Sequence, residues 1–167
     1  MIKISINDYK ESDFSHLVTL VNEFQDYISA ADSKKTCRRF HNQSEAETYT
    51  KQMLQDVTER EGVCYIATTE EQVIGFILGV IDRHKDDPLY ILSHHTGDHG
   101  WIGEVYVRPE YRGQGAARLL IEKISEYFKA KGCTNIRLSV LADNQLARKA
   151  YDKIGFTERD IELSKDL

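Results

Sequence analysis

Residues 101–124 read WIGEVYVRPEYRGQGAARLLIEKI, and their texture changes midway. The first part, Trp101 to Pro109, is rich in β-branched and aromatic residues. It ends at a proline, which cannot donate to a sheet ladder, so it reads as a strand. From Gly115 to about Lys131 the spacing predicts a helix, with Leu120, Ile124 and Phe128 at i, i+4 and i+8. Between strand and helix stands Arg112-Gly113-Gln114-Gly115, a loop with two glycines in three positions. The first amides of a helix have no partner within it, and the helix dipole is positive there. Glycine removes the Cβ that would hold a bulky anion away from those amides, and it tolerates positive φ. The stretch therefore reads as a phosphate cradle, with Arg112 and Arg118 adding positive charge. Taken alone, the loop is equally a plain strand-to-helix turn. GQGAAR lacks the G-x-G-x-x-G spacing of a dinucleotide fold, and no G-K-[ST] follows as in a P-loop.

Outward from this stretch, the C-terminal side continues with a strand over NIRLSVL (135–141), a helix over NQLARKAYDKI (144–154) and a last strand over GFTERDIEL (155–163). The first strand, helix and strand of this half form a βαβ unit, which should be parallel. On the N-terminal side, IKISI alternates as a short strand. Ser12 to Ile28 place Phe14, Leu17, Val18, Val21, Phe24 and Ile28 at helical spacing behind a Ser12 or Asp13 cap. SEAETYTKQMLQDVTER opens with an S-x-x-E signature and predicts a second helix from Ser44. VCYIATT and VIGFILGVIDR, joined by Glu70-Glu71-Gln72, read as a hairpin. SKKTCRRFH (33–41) is a polar, basic loop or short helix, which either shapes a pocket or is simply solvated.

Two spaced motifs carry a family resemblance. Residues 109–117, PEYRGQGAA, resemble the R/Q-x-x-G-x-G/A signature of the GNAT superfamily of N-acetyltransferases through Arg112, Gly115 and Ala117. NQLARKAYDKIGF is similar to that family's N-x-x-A-x-x-x-Y-x-x-x-G-F through Asn144, Ala147, Tyr151, Gly155 and Phe156. The likeness covers 101–163 well, and the first 60 residues only in the order of their elements. The resemblance implies an α/β fold in one domain, 1–167, with a mixed sheet of six to seven strands flanked by about four helices, a parallel pair surrounding the coenzyme A site. It implies acetyl-CoA as acetyl donor. The amides of Gly113, Gln114, Gly115, Ala116, Ala117 and Arg118 would hold its diphosphate. The strand at Val105, Tyr106 and Val107 would pair with the pantetheine amides as a neighbouring strand does. A backbone N–H near Val105 or Tyr106 would receive the developing oxyanion.

The chemistry sets the remaining expectations. A primary amine of pKa near 10.4 keeps about one part in a few thousand neutral at pH 7, a barrier of about 4–5 kcal/mol unless the site favours the neutral form. Tyr151 matches the family tyrosine that donates toward the departing thiolate. Asn144, Ala147 and Tyr151 share one helical face, while Leu146, Ala150 and Ile154 form an apolar stripe expected to face the sheet. Asn144 caps that helix, binds the cofactor, or does both. Glu104 is the one acidic residue inside its strand. On a regular pleat it shares a face with Ile102 and Tyr106. It can take the amine proton directly or through water, or attract a cationic acceptor. Some family members carry the base one position earlier, where this chain has Gly103.

HKDDPLYILSHHTGDHG (84–100) holds His84, His94, His95 and His99 with Asp86, Asp87 and Asp98. It reads as a loop beside the acceptor entrance, with His95 or His99 as a remote alternative base, rather than a metal site. Trp101 and Tyr90 line that pocket or merely pack.

The net charge of −5 argues against a nucleic-acid footprint and suits a cationic acceptor. The longest apolar run, Val73 to Ile81, is nine residues, far below the roughly 20 that span a bilayer. The three cysteines, Cys37, Cys64 and Cys133, form no C-x-x-C pair and read as thiols of a reducing cytoplasm. The resulting expectation is an N-acetyltransferase acting on a small-molecule or peptide amine, with no nucleic-acid or membrane partner. Because dimers are common in that superfamily, a homodimer is left open. A non-catalytic acyl-CoA sensor of the same fold and a generic nucleotide-phosphate binder are the competing readings.

Overall fold

The computed structural model describes residues 2–70, 72–83 and 97–165. Its elements run β1 (Ser5–Asp8), α1 (Phe14–Ala31), α2 (Gln43–Glu59), β2 (Val63–Thr68), β3 (Val73–Asp82), β4 (His99–Val107), α3 (Ala116–Ala130), β5 (Asn135–Leu138) and α4 (Gln145–Ile154). The strands form one sheet in the order β1-β2-β3-β4-β5. The first three pairings are antiparallel, and β4 pairs with β5 in parallel, as a strand–helix–strand crossover requires.

The sheet separates two cores. On one face α3 buries Leu120, Ile121, Ile124 and Phe128 against Tyr65, Ile77, Ile81 and Ile102. On the other, Leu17, Leu20 and Val21 of α1 and Val57 of α2 cover Cys64, Ile66, Phe76, Leu78 and Tyr106. Central β3 is buried almost throughout because both of its faces are covered, which accounts for its unbroken apolar run.

Several expectations are revised. The sheet has five strands among the described residues, not six to seven. No strand forms over 155–163: this segment interleaves charges with its apolar residues, and Ile161 and Leu163 stand 77% and 89% exposed, with nothing to bury them. The second helix begins at Gln43 with Asn42 as cap, its side chain accepting from the Glu45 amide at 3.0 Å. Glu45 reaches back to the His41 amide at 2.9 Å, so the reciprocal cap lies ahead of Ser44. The basic loop is not helical. It winds around the Asp32 carboxylate, which accepts from the amides of Lys34, Thr36 and Cys37 and from the Thr36 hydroxyl. Residues 84–96, with His84, His94, His95, Asp86, Asp87 and Tyr90, lie outside the described residues.

Candidate active site

The chain leaves β4, makes one 3-10 turn at Pro109–Tyr111 and enters α3 through Arg112–Gly115. Gly113 and Gly115 have φ of +75° and +92°, left-handed values that disfavour any Cβ. A Cβ built on either meets nothing within 4 Å, so conformation rather than crowding calls for glycine, and the loop's outer side is open. Gly115 is the N-cap of α3 and offers no capping side chain. Among the described residues no protein acceptor takes the amide hydrogens of residues 113–118 in good hydrogen-bond geometry, although 112–115 form a turn. A buried helix start would need partners; this one faces outward with its donors free, a fit for a diphosphate.

The two flanking arginines do not stand over the cradle as bare charges. Arg118 pairs with Glu122 at 2.7 Å, one turn along an exposed face. Arg112 folds back, its Nε donating to the Val107 carbonyl at 2.9 Å and its guanidinium lying 4.5 Å over the Tyr27 ring.

Beside the loop, the parallel pair parts. β4 and β5 pair from His99–Asn135 to Ile102–Leu138, and β4 then runs on to Val107 against β3 alone. The Arg108 amide donates to the Ile74 carbonyl at 2.9 Å. Alternation along a strand therefore turns the polar groups of Tyr106 and Glu104 toward β3, and those of Val105 and Val107 toward the open edge. The Val105 N–H faces the gap into which a pantetheine arm would pair. Arg108 anchors this end, holding both Glu23 oxygens of α1 at 3.0 and 2.9 Å and the Val73 carbonyl at 3.0 Å.

Across the gap, α4 starts at Asn144, whose Oδ1 accepts from the Ala147 amide at 3.2 Å and from the Tyr27 hydroxyl at 2.9 Å. Tyr27 thus joins α1 to both sides of the cleft, under Arg112 and onto Asn144. Tyr151, two turns along α4, packs edge-on against Phe156 (centroids 5.8 Å apart) and against the α3-side core. Burial, with a smaller contribution from Tyr27, pushes its hydroxyl up to about 12, so it carries its proton at neutral pH. The apolar stripe expected on α4 is only partly right. Ile154 packs on the core, but Leu146, in the first turn of α4, is 59% exposed.

At Glu104 the strand departs from a regular pleat. β4 carries a bulge at Gly103: Glu104 pairs with Leu78 and Ile102 with Gly79, leaving Gly103 unpaired. The extra residue reverses the phase. Ile102 faces α3, while Glu104 and Tyr106 face α1 and α2. There Glu104, 8% exposed, accepts from the Tyr49 hydroxyl on Oε1 at 2.6 Å. Its Oε2 is buried with no partner among the described residues. Burial raises its carboxyl to about 7, against the opposing effect of the Tyr49 hydrogen bond.

Tyr27 links Arg112 to Asn144, Tyr106 lies beneath Arg112 (5.7 Å), and Val105, Val107 and Tyr151 belong to the same α3-side core. Glu104 sits on the opposite face of β4 from the core on which Tyr151 packs. His99 begins β4 buried beside Asp82 (Nε2 to Oδ2, 3.3 Å), inside the protein rather than at a pocket mouth. Trp101 packs on the α1/α2 core. Tyr27 and Tyr49 escaped the sequence reading. Tyr27 lies three residues past Phe24 on an apolar face, and Tyr49 in a polar helix, with partners 117 and 55 residues away.

Residues 24–156 match the acetyltransferase (GNAT) family. The chain belongs to that family, and membership makes it an acyltransferase with acetyl-CoA as acetyl donor. It is 29% identical over 163 residues to a thialysine N-epsilon-acetyltransferase of Bos taurus, covering 93% of this chain and 85% of that one. A Mus musculus protein of the same name is 39% identical over 66 residues, 40% of this chain and 39% of its own. In fold, aminoglycoside N-acetyltransferase AAC(6')-Iy in complex with CoA superposes with a TM-score of 0.72 at 19% identity, covering 100% and 97% of the two chains. Glucosamine-6-phosphate N-acetyltransferase from Arabidopsis thaliana gives 0.67 at 17%, covering 98% of each.

Proposed function

We propose that this protein, as a single domain, moves an acetyl group from acetyl-CoA to a primary amine of a small molecule or peptide by direct attack. Glu104 serves as proton acceptor and Tyr151 as proton donor. The observation that carries this reading is the run of unpartnered amides from Gly113 to Arg118 beside the parted edge of β4. Acetyl-CoA, when bound, supplies an activated acetyl thioester. The 113–118 amides hold its diphosphate, and the Val105 carbonyl and the outward-facing groups of Val107 pair with its pantetheine amides. Arg112 already donates to the Val107 carbonyl, so that contact uses the carbonyl's second lone pair or displaces Arg112. The Val105 N–H donates to the acyl oxygen as negative charge gathers there. The Tyr151 hydroxyl gives its proton toward the sulfur from the α4 side. Glu104 takes the ammonium proton from the α2 side, directly or through water, and a carboxyl near 7 suits that task.

A buried carboxylate also favours a cationic acceptor. Thialysine is the first acceptor to test, because curated relatives bear its name. Free-CoA release across an amine panel, repeated with Tyr151→Phe, tests the proposal. The expected result is turnover with at least one primary amine, and a loss of about 10²-fold or more in kcat for the variant with acetyl-CoA affinity unchanged. An unchanged kcat removes Tyr151 from the mechanism. Tight acetyl-CoA binding without CoA release on any amine supports a sensor instead.

A further inference from the structure

We infer that Tyr49 is a positioning residue for Glu104: by holding Oε1 it reserves Oε2 as the atom that receives the substrate's proton. This rests on the reading of Glu104 as base. The two residues stand 55 positions apart in the chain and meet at 2.6 Å, within the range of about 2.5–2.7 Å for an O–H···O⁻ bond. Tyr49 stands on α2 beside Thr50, which is fully buried, and its ring lies against Phe40, centroids 5.4 Å apart. Helix and loop together therefore fix where the hydroxyl points. The residue is 42% exposed, so it is no core filler. A tyrosine hydroxyl has one hydrogen to give, and here it goes to Oε1.

The second oxygen is the informative one. Buried polar atoms nearly always find a partner, and Glu104 Oε2 has none among the described residues. An ammonium, or a water between it and Glu104, satisfies Oε2 at the moment a base is needed. After transfer the new proton resides on Oε2, and the Tyr49 bond to Oε1 persists in both protonation states. No rotation of the carboxyl is then required during turnover. The titratable groups facing Glu104 are Tyr49 from α2 and the buried Cys64 thiol from β2, while β3 sets Leu78 directly opposite. Tyr49 is thus the only one of them that hydrogen-bonds the carboxyl and is also partly open to solvent.

The test uses two substitutions of opposite electronic effect, with Glu104→Gln as reference. Tyr49→Phe keeps the ring on Phe40 and deletes the donor. A 3-fluorotyrosine at position 49 keeps the ring and strengthens the donor. The Glu104 carboxyl is followed by ¹³C NMR, its resonance assigned by its loss in Glu104→Gln, alongside the acid limb of kcat/KM. Tyr49→Phe should move both titrations upward by about one pH unit, lowering kcat/KM about tenfold on the acid limb, with acetyl-CoA affinity and Tm little changed. Fluorotyrosine should move both downward. If neither substitution moves the carboxyl titration or the limb, Tyr49 has no such role, and the base reading stands on the loss of activity in Glu104→Gln. Full activity of Glu104→Gln overturns the base reading, and this inference with it.

Discussion

Glu104 is a side chain whose ionisation works against folding. Its carboxyl is harder to ionise in the folded chain, where burial raises it to about 7, than in the unfolded one, near 4.3. Below about pH 4 both states hold the proton and there is no penalty. As pH rises from about 4 to 7 the folded state must give up a proton it favours, and stability falls by about 3 kcal/mol. Asp32 contributes with the opposite sign. Its hydrogen bonds, the Thr36 hydroxyl foremost, lower it to about 2, so its stabilisation is present above about pH 4 and is lost as pH falls through about 2. Glu104→Gln removes only the first effect. Urea unfolding of both proteins should show the variant gaining on the wild type by about 3 kcal/mol between pH 4 and 8. Parallel stability curves would mean that Glu104 is hydrated and ordinary.

Among the helices α1 to α4, α4 is the most weakly held. None of its residues is fully buried, so its helical turns depend on its ends and on Tyr151 and Ile154. Asn144 secures one end twice, capping the Ala147 amide and receiving the Tyr27 hydroxyl. Asn144→Ala therefore loses a cap and leaves a tyrosine hydroxyl without its acceptor. It should cost about 1–2 kcal/mol and lower Tm by about 2–8 °C. Amide exchange should quicken over 145–154 before it changes in α3. Equal exchange in both helices would show that α4 is held by packing. The β4 bulge works at this same scale. One unpaired residue, Gly103, turns Glu104 from the α3 face to the α2 face and so decides which helix it meets.

For the molecule as a whole, the decisive distance is between the sheet and α3. Phe128 lies in a hollow left by two glycines on adjacent strands. A Cβ on Gly100 would stand 2.2–2.6 Å from three of its ring carbons, and one on Gly79 would stand 2.9 Å from its tip. Gly100→Ala should push the layers apart, at a cost of about 2–3 kcal/mol and a fall in Tm of about 4–12 °C. Phe128→Leu added to it should recover part of that loss, whereas simple additivity of the two would place the hollow elsewhere. The same layering explains which parts were legible in advance. Helix α3, the hairpin, the left-handed glycines before α3 and the N-cap at Asn144 rest on neighbours within a few residues, where periodicity and turn chemistry act. The fate of 155–163 and the exposure of Leu146 depended on whether a surface existed to receive them, which no local pattern records.

The sequence by itself determined the parallel β4–α3–β5 unit, the left-handed glycines at the start of α3, and Tyr151 on the face of α4 that carries Asn144. Each follows from chain geometry at short range. Only the tertiary structure decided that Arg112 folds onto Tyr27 and Val107, that Glu104 faces α2, and that Tyr49 is its partner. These depend on a single-residue shift of phase in β4 and, apart from the local Arg112–Val107 bond, on contacts between residues 55 or more positions apart. A pleat has period two, so one inserted residue reverses every side chain beyond it, and the composition of the strand carries no mark of that reversal.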